Sequence, residues 1–387
     1  MRSHSYINSA RNIIEQYKGE MPLAAWLKAY FSAHKKYGSK DRKQIAHLCY
    51  SYYRLGHAFK DFAIEERLLI SVFLSSDSVN FVLQELRPVW NEKVQLSPLE
   101  KLNYIDASHE LAHLFPWQEH LSAEINIKQF ATSFLIQPFV FLRLRPGKKQ
   151  RVLQQLSNAQ VRYQSIGDAC IAVDNGTKLD ELVAMDQDVV IQDYSSQQVL
   201  TGLQKRLTIN NSFTAWDCCA ASGGKSILLK DTYPNVRLTA SDVRESILHN
   251  LRSRFKQAGI TQYNSYVADV SANDFSAAKT AFDVVLCDAP CSGAGTWSRT
   301  PEQLYFFKED KIQHYADLQK RIALNASRSL KKQGYFIYIT CSVFREENEA
   351  VVEYLQNKTS LQLLDATYYS GYEKKADTLF AAVFQQL

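Results

Sequence analysis

Apolar residues over the first 130 positions recur every three or four residues, the spacing of one buried face of an α-helix. Apolar–polar alternation, which would indicate strands, is scarce in this region. The clearest helical runs contain Tyr6, Ala10, Ile13, Ile14 and Tyr17; Leu23, Trp26, Leu27 and Phe31; and Ile45, Leu48, Cys49, Tyr52 and Tyr53. We therefore predict an all-helical domain over residues 1–130.

The pattern changes over residues 131–205. The apolar run 139–145 predicts a strand that ends at Pro146-Gly147, because this dipeptide marks a turn. A helix over 148–158 and short strands over 161–163 and 170–173 are predicted to follow. These elements indicate a small α/β module that presents its basic residues to a ligand.

From residue 206 to 387, apolar strands alternate with amphipathic helices. The strands are predicted over 213–217, 236–241, 265–268, 282–287, 334–339, 361–366 and 379–385, and the helices over 224–232, 244–258, 302–330 and 345–356. Such alternation predicts an α/β domain with a doubly wound sheet of parallel strands, in which ligands bind at the carboxyl ends of the strands.

Composition and charge agree with a globular chain of two or three domains and favour a polyanionic partner. The 387 residues are 46% hydrophobic and 22% charged, with a net charge of +5. Residues 1–50 hold nine Lys or Arg against three Asp or Glu, and five basic residues but no acid lie from Arg143 to Arg151. Basic clusters of this kind favour contact with a nucleic acid.

The cysteines and the hydropathy exclude several classes of protein. The seven cysteines form no CxxC pair, which predicts reduced thiols and no metal site. We find no signal-type N-terminus and no run of about 18 apolar residues. A cytoplasmic monomer with no membrane partner is therefore expected.

A nucleotide-type cofactor site is predicted where three strands end. The first strand of the third region runs into DCCAASGGK (217–225), a loop of small residues that opens a helix. Asp242 follows the second strand, where an acid accepts hydrogen bonds from ribose hydroxyls, and Asp269 follows the third. GGKS lacks the first glycine of a P-loop, and the absence of GxGxxG disfavours a dinucleotide.

Two further strand ends carry cysteines at the same predicted edge. Cys291 follows the fourth strand in DAPCSG, and Cys341 follows the fifth in TCS. A thiolate that adds to carbon 6 of cytosine makes carbon 5 nucleophilic enough to accept a methyl group. Asp288, in its protonated form, is placed to hydrogen-bond ring nitrogen N3 and stabilise the adduct.

At this point the chain resembles the RsmB/Nop/Sun-type RNA cytosine-5 methyltransferases. DCCAASGGK (217–225), DAPCSGAGTWSRTPE (288–302) and TCSVFREENEAVV (340–352) resemble three motifs of that family in the same order. FLRLR (141–145) and VIQDYSSQ (190–197) are weaker matches. The segment 38–56 is similar to the NusB-like helical domain of RsmB, a domain type that binds RNA or RNA-associated partners.

The resemblance implies a Rossmann-like class I methyltransferase domain with S-adenosyl-L-methionine as cofactor. It also implies that the substrate is a cytosine in RNA, and we expect small-subunit ribosomal RNA. It implies Cys341 as the nucleophile, Cys291 in product release, Asp288 against the cytosine and Lys225 beside the thiolate. The cofactor contacts would be Cys219, Ala220, Ala221, Ser222, Gly223, Gly224, Lys225, Asp242, Asp269 and Asp288. The expected RNA contacts are Arg143, Arg145, Lys148, Lys149, Arg299 and Phe380.

Three positions depart from the family pattern. Ser222 replaces a proline in the cofactor loop, Arg145 an asparagine and Thr378 a glycine. The alternatives are a non-catalytic RNA-binding protein with a vestigial pocket, a methyltransferase acting on an exocyclic base amine, and a DNA cytosine methyltransferase. The last of these would make Cys291 the nucleophile.

Overall fold

A computed structural model describes residues 2–275 and 281–387. The chain divides into two compact units: unit 1 is Met1–Gln137 with Thr296–Glu309, and unit 2 is Pro138–Gly295 with Asp310–Leu387. The α-helices are α1 Arg2–Gln16, α2 Leu23–Ala33, α3 Ser39–Arg54, α4 Ile64–Ser75, α5 Phe81–Leu86, α6 Pro88–Glu92, α7 Pro98–Tyr104, α8 Leu111–Leu114, α9 Ile127–Ser133, α10 Lys149–Asn158, α11 Thr201–Gln204, α12 Gly224–Thr232, α13 Glu245–Gln257, α14 Pro301–Phe306, α15 Asp310–Ser327 and α16 Glu349–Lys358. The strands are β1 Val140–Leu144, β2 Tyr163–Ile166, β3 Cys170–Val173, β4 Val189–Ile191, β5 Thr214–Asp217, β6 Arg237–Asp242, β7 Tyr263–Val267, β8 Phe282–Asp288, β9 Leu330–Thr340, β10 Leu361–Ser370 and β11 Thr378–Gln386.

Unit 1 is helical, and its helices form where the apolar spacing predicted them. The face of α1 that carries Tyr6, Ala10 and Ile13 is buried in the core of the unit. Local signals also set the helix ends. At the start of α7, Ser97 and Glu100 form a capping box and Pro98 occupies the first helical position, which satisfies amide groups that the helix leaves unpaired.

The segment 296–309 belongs to unit 1, although it follows the Cys291 motif directly in the chain. Helix α14 packs Phe306 edge-on against Tyr17, and the buried carboxylate of Glu302 accepts a hydrogen bond from the Leu23 amide at 3.1 Å. The predicted single helix over 302–330 is therefore wrong. The helix is interrupted at Phe307, whose extended backbone places its ring against Trp117.

Unit 2 contains a small antiparallel sheet and a large sheet. The small sheet has the order β2-β3-β1-β4. Strand β3 has the predicted bounds and β1 lies within its predicted range, whereas β2 shares only Tyr163 with the strand predicted over 161–163. Arg143 and Arg145 project from the end of β1 toward α12, where both guanidinium groups pair with Asp231 at 2.5 and 2.7 Å. The carboxylate of Asp231 is 8% exposed, so this ion pair is largely shielded from water.

Removing this shared carboxylate should destabilise unit 2. We expect Asp231→Asn to lower the free energy of unfolding by about 3 kcal/mol, because two buried guanidinium groups lose their counter-charge. Urea unfolding measures the change. The control is Asp168→Asn, which removes the fully exposed partner of Lys149 and should cost less than about 0.5 kcal/mol. Equal effects of the two substitutions would contradict the prediction.

The large sheet has the order β10-β11-β9-β8-β5-β6-β7. Strands β9, β8, β5, β6 and β7 pair in parallel, and β11 is antiparallel to both of its neighbours, β9 and β10. The expected doubly wound α/β domain is confirmed. The expectation that all its strands run parallel is wrong for β11, because the short connection from β10 cannot cross the sheet and returns the chain in the opposite direction.

Candidate active site

The carboxyl ends of four parallel strands bring the predicted catalytic and cofactor residues to one edge of the large sheet. Asp217 ends β5, Asp242 ends β6, Asp288 ends β8, and Cys341 follows β9 directly. The strand order reverses between β5 and β8, so a crevice forms outside this edge, which is where open α/β sheets bind ligands.

The loop between β5 and α12 is held close to β6. The amide of Ala220 donates to the Ser241 carbonyl at 2.9 Å, and that of Ala221 donates to the Asp242 carboxylate at 3.1 Å. Gly223 has φ +84°, and a Cβ there would lie 2.7 Å from the ring of Phe255. Only glycine satisfies both the left-handed backbone and the close helix packing at this position.

Ser222 is stabilised by a contact that a proline could not make. Arg254 donates one hydrogen bond to the Ser222 hydroxyl at 3.0 Å and another to its carbonyl at 3.1 Å. The same guanidinium pairs with Asp186 at 2.7 Å. Arg254, itself paired with Asp186, therefore restrains the loop at position 222, where the family that the chain resembles has a proline.

A cavity of about 340 Å³ opens beside this loop. Of the predicted cofactor residues, Cys219, Asp242 and Asp269 line it, and Ala220 to Lys225 form the adjoining loop and helix start. Leu318 and Ile322 add an apolar wall from α15. The two carboxylates can accept hydrogen bonds from the hydroxyl and amine groups of a ligand, and the apolar wall can contact a flat base. The cavity therefore fits a nucleoside-type group.

The two predicted catalytic cysteines meet. The Sγ atoms of Cys291 and Cys341 are 3.2 Å apart, and both side chains are only partly buried. The hydrogen bond with Cys341, followed by burial, raises the pKa of the Cys291 thiol well above its usual value. Cys291 therefore keeps its proton at neutral pH.

A positive charge lies next to this pair. Lys225, in the first turn of α12, contacts Asp288 through an Nζ–Oδ2 distance of 2.6 Å. Burial by itself lowers the pKa of Lys225, but the charge and hydrogen bond of Asp288, together with Cys341 and Asp217, outweigh burial and raise it. The ammonium therefore stays charged, and it interacts electrostatically with the sulfur of Cys341.

Glu347 connects the loops that carry the two cysteines, a role that the sequence analysis did not assign. Its buried carboxylate accepts hydrogen bonds from the Ser292 amide at 2.9 Å, the Ser342 hydroxyl at 2.7 Å and the Gln319 amide at 2.8 Å. Each bonded serine directly follows one of the cysteines. The EEN segment contains Glu347, but no spacing rule reveals which loops a carboxylate joins.

The expected RNA residues fall into two groups. Arg143 is 4% exposed and Arg145 is held by Asp231, so neither presents a free charge to a nucleic acid. Phe380 is 2% exposed and packs against Tyr368 inside the sheet. These placements correct the expectation for all three residues, because their side chains serve the interior of unit 2.

The side chains of Lys148 and Lys149 are 38% and 46% exposed, and each has an acidic neighbour within 4.0 Å. Arg299 lies in the part of unit 1 that follows the Cys291 motif.

Thr378, at the family's glycine position, is buried, and its carbonyl lies against Gly295. A Cβ at Gly295 would lie 2.0 Å from the carbonyl oxygen of Thr378. Among residues 2–275 and 281–387, no helix is both long enough and apolar enough to cross a membrane.

The strand order and the edge just described define a Rossmann-like methyltransferase fold preceded by a helical unit. A family model described as 16S rRNA methyltransferase RsmB/F matches residues 204–381. The fold also resembles the crystal structure of PH0851, with a TM-score of 0.71 and 20% identity over 98% of this chain and 97% of that one.

Two curated relatives match parts of the chain. Ribosomal RNA small subunit methyltransferase B of Xanthomonas campestris is 31% identical over 198 residues, which are 49% of this chain and 43% of that protein. The 28S rRNA (cytosine-C(5))-methyltransferase of Mus musculus is 34% identical over 162 residues, which are 41% of this chain and 20% of that protein. The aligned regions thus span less than half the length of these relatives.

Proposed function

We propose that this protein transfers a methyl group from S-adenosyl-L-methionine to carbon 5 of a cytosine in ribosomal RNA, and that small-subunit RNA is its substrate. The observation that carries the proposal is the pair of sulfurs 3.2 Å apart beside the Lys225–Asp288 ion pair. The family of residues 204–381 and the names of the relatives support the choice of RNA and of carbon 5.

Cys341 is the nucleophile in this proposal. Its sulfur adds as a thiolate to carbon 6 of the cytosine, with the positive charge of Lys225 in its electrostatic surroundings, so that electron density moves to carbon 5. As the sulfur adds, ring nitrogen N3 takes up a proton from water, and Oδ1 of Asp288, the oxygen that Lys225 does not contact, would accept a hydrogen bond from that N–H. Protonation of N3, stabilised by this hydrogen bond, offsets the charge that develops on the ring during addition.

The cofactor would occupy the cavity beside the β5–α12 loop. Asp242 and Asp269 accept hydrogen bonds there, and the loop 219–225 closes one side. When bound, S-adenosyl-L-methionine supplies an electrophilic methyl group. The chain's own contribution is to hold the cytosine between that methyl and the sulfur of Cys341, which removes the entropy cost of the encounter.

Cys291 acts in product release. After the proton on carbon 5 has been removed, the bond between carbon 6 and the Cys341 sulfur breaks, and that sulfur leaves as a thiolate. Because Cys291 keeps its proton and already lies 3.2 Å away, its thiol can donate a hydrogen bond to the departing sulfur. Loss of this donor slows release more than addition.

Two groups of cations are proposed to contact RNA, one near β1 in unit 2 and one on the basic N-terminal helices of unit 1. Lys148 and Lys149 keep much of their side chains in solvent, and residues 1–50 carry an excess of positive charge. Contacts to phosphates weaken as salt displaces them, so binding should fall steeply with ionic strength. An unpaired cytosine is preferred, because unstacking a paired base costs a few kcal/mol.

The test is methyl transfer from methyl-labelled S-adenosyl-L-methionine to unmodified 16S rRNA, followed by nucleoside analysis. We expect label in 5-methylcytosine at a single position. Asp242→Asn should raise the KM for the methyl donor by about ten- to a hundredfold, since a hydrogen bond to a charged group contributes about 1.5–3 kcal/mol. Asp168→Asn is the control. Label on the exocyclic amine, or none in any RNA, would overturn the proposal.

A further inference from the structure

The two active-site sulfurs are placed so that they can form a covalent bond with each other. Their 3.2 Å separation exceeds the length of a disulfide by only about 1.2 Å. Both side chains are partly exposed, so a small oxidant can reach them. Within residues 2–275 and 281–387, Cys291 and Cys341 are the pair of partly exposed cysteines whose thiols are in direct contact.

The backbone around the pair also favours closure. The amide of Gly295 donates to the Cys341 carbonyl at 2.9 Å, and a Cβ at Gly295 would lie 3.0 Å from that oxygen. The loop that carries Cys291 is thus already in contact with the end of β9. Glu347 joins the residues that follow the two cysteines, so neither loop needs to travel far.

We infer that Cys291 and Cys341 form a reversible disulfide when the protein meets a peroxide, and that this bond inactivates the site. The Cys341 thiolate attacks one oxygen of hydrogen peroxide: the S–O bond forms, the O–O bond breaks, and the hydroxide that leaves is protonated to water. The sulfur is oxidised by two electrons to a sulfenic acid, and the peroxide is reduced.

The second step uses the neighbouring thiol. The Cys291 sulfur attacks the Cys341 sulfur, the S–S bond forms, the S–O bond breaks, and the departing hydroxide takes the Cys291 proton as water. In sum, two thiols and one peroxide give one disulfide and two waters. The disulfide removes the sulfur proposed to attack cytosine and the thiol proposed to assist release, and a thiol reductant restores both.

The experiment uses the full chain without RNA or methyl donor, so its outcome is independent of the proposed function. The reduced protein is treated with hydrogen peroxide, and its intact mass should fall by about 2 Da. Digestion with trypsin under non-reducing conditions should then yield residues 280–299 joined to 333–345. Fragmentation must place the bond at Cys291 rather than at Cys287, which lies in the first of these peptides.

Two variants make the test specific. Cys170→Ala removes a buried thiol elsewhere in unit 2 and should leave the joined peptide unchanged. Cys291→Ala should abolish it and leave Cys341 to oxidise to sulfinic acid, which a thiol reductant does not reverse. The inference is overturned if wild-type protein gains oxygen at Cys341 without a joined peptide, or if the bond forms to another cysteine.

Discussion

Cys341→Ala is expected to abolish methyl transfer and the formation of any covalent RNA–protein complex, whereas Cys291→Ala lets such a complex accumulate. The opposite effects follow from the positions of the sulfurs. The Lys225 ammonium interacts electrostatically with Cys341 and favours attack by this sulfur, whereas the hydrogen bond with Cys341 raises the pKa of Cys291. Removing a covalent nucleophile should lower kcat by about 10³-fold or more.

Denaturing gel electrophoresis with labelled RNA separates the two outcomes, because a covalent complex survives denaturation. Cys170→Ala, which removes a buried cysteine outside the site, serves as the control and should behave as the wild type. If Cys291→Ala blocks the complex and Cys341→Ala traps it, the two roles are reversed. That pattern would match the DNA-type alternative, in which the cysteine after the fourth strand attacks the base.

Glu347→Gln should have the second largest effect, with a loss in kcat of about ten- to a hundredfold and little change in KM. The amide nitrogen that replaces one carboxylate oxygen cannot accept a hydrogen bond, so Glu347 loses either the bond from the Ser292 amide or the bond that the Ser342 hydroxyl donates. A buried donor left unpaired costs about 1–3 kcal/mol. Both loops would then hold their sulfurs less accurately, although Glu347 itself touches no substrate.

If Glu347 had only a structural role, Glu347→Gln would lower the free energy of unfolding without changing which step of the reaction is slow. We therefore expect a second signature: Glu347→Gln should accumulate part of the covalent complex, because the contact to Ser292 positions the residue that assists release. Glu353→Gln, an exposed glutamate on α16, is the matched control. A variant with a lower unfolding free energy but an unchanged ratio of complex to product would refute a positioning role.

The α/β part of the chain is the easier part to predict from sequence. The helix predicted over 224–232 is α12 with the same bounds, and the strands predicted from 213–217 and 282–287 differ from β5 and β8 by one residue at one end. The two strands are continuous apolar runs, and the helix begins at a glycine-rich turn, so their composition alone identifies them. The meeting of Cys291 and Cys341 follows from the same reasoning, since parallel neighbours end at one edge.

The missed features involve partners distant in sequence. Arg143 looks like an RNA contact in the chain, but the carboxylate that neutralises it lies 88 residues further on. Phe380 is expected from the sequence to contact RNA, but its strand, β11, lies between β9 and β10 in the sheet, and its ring is buried. Helix α14 looks continuous with α15, yet aromatic contacts within unit 1 end it at Phe306.

Local elements, the order of the motifs and the chemical groups at the strand ends can be read directly from the chain, because periodicity and turn residues report which face of each element is buried. Three features become visible in the folded chain alone: the arginines that are neutralised inside unit 2, the carboxylate that joins the two cysteine loops, and the membership of residues 296–309 in unit 1. Burial and neutralisation of a side chain depend on neighbours that folding brings from far along the chain, and no local pattern records them.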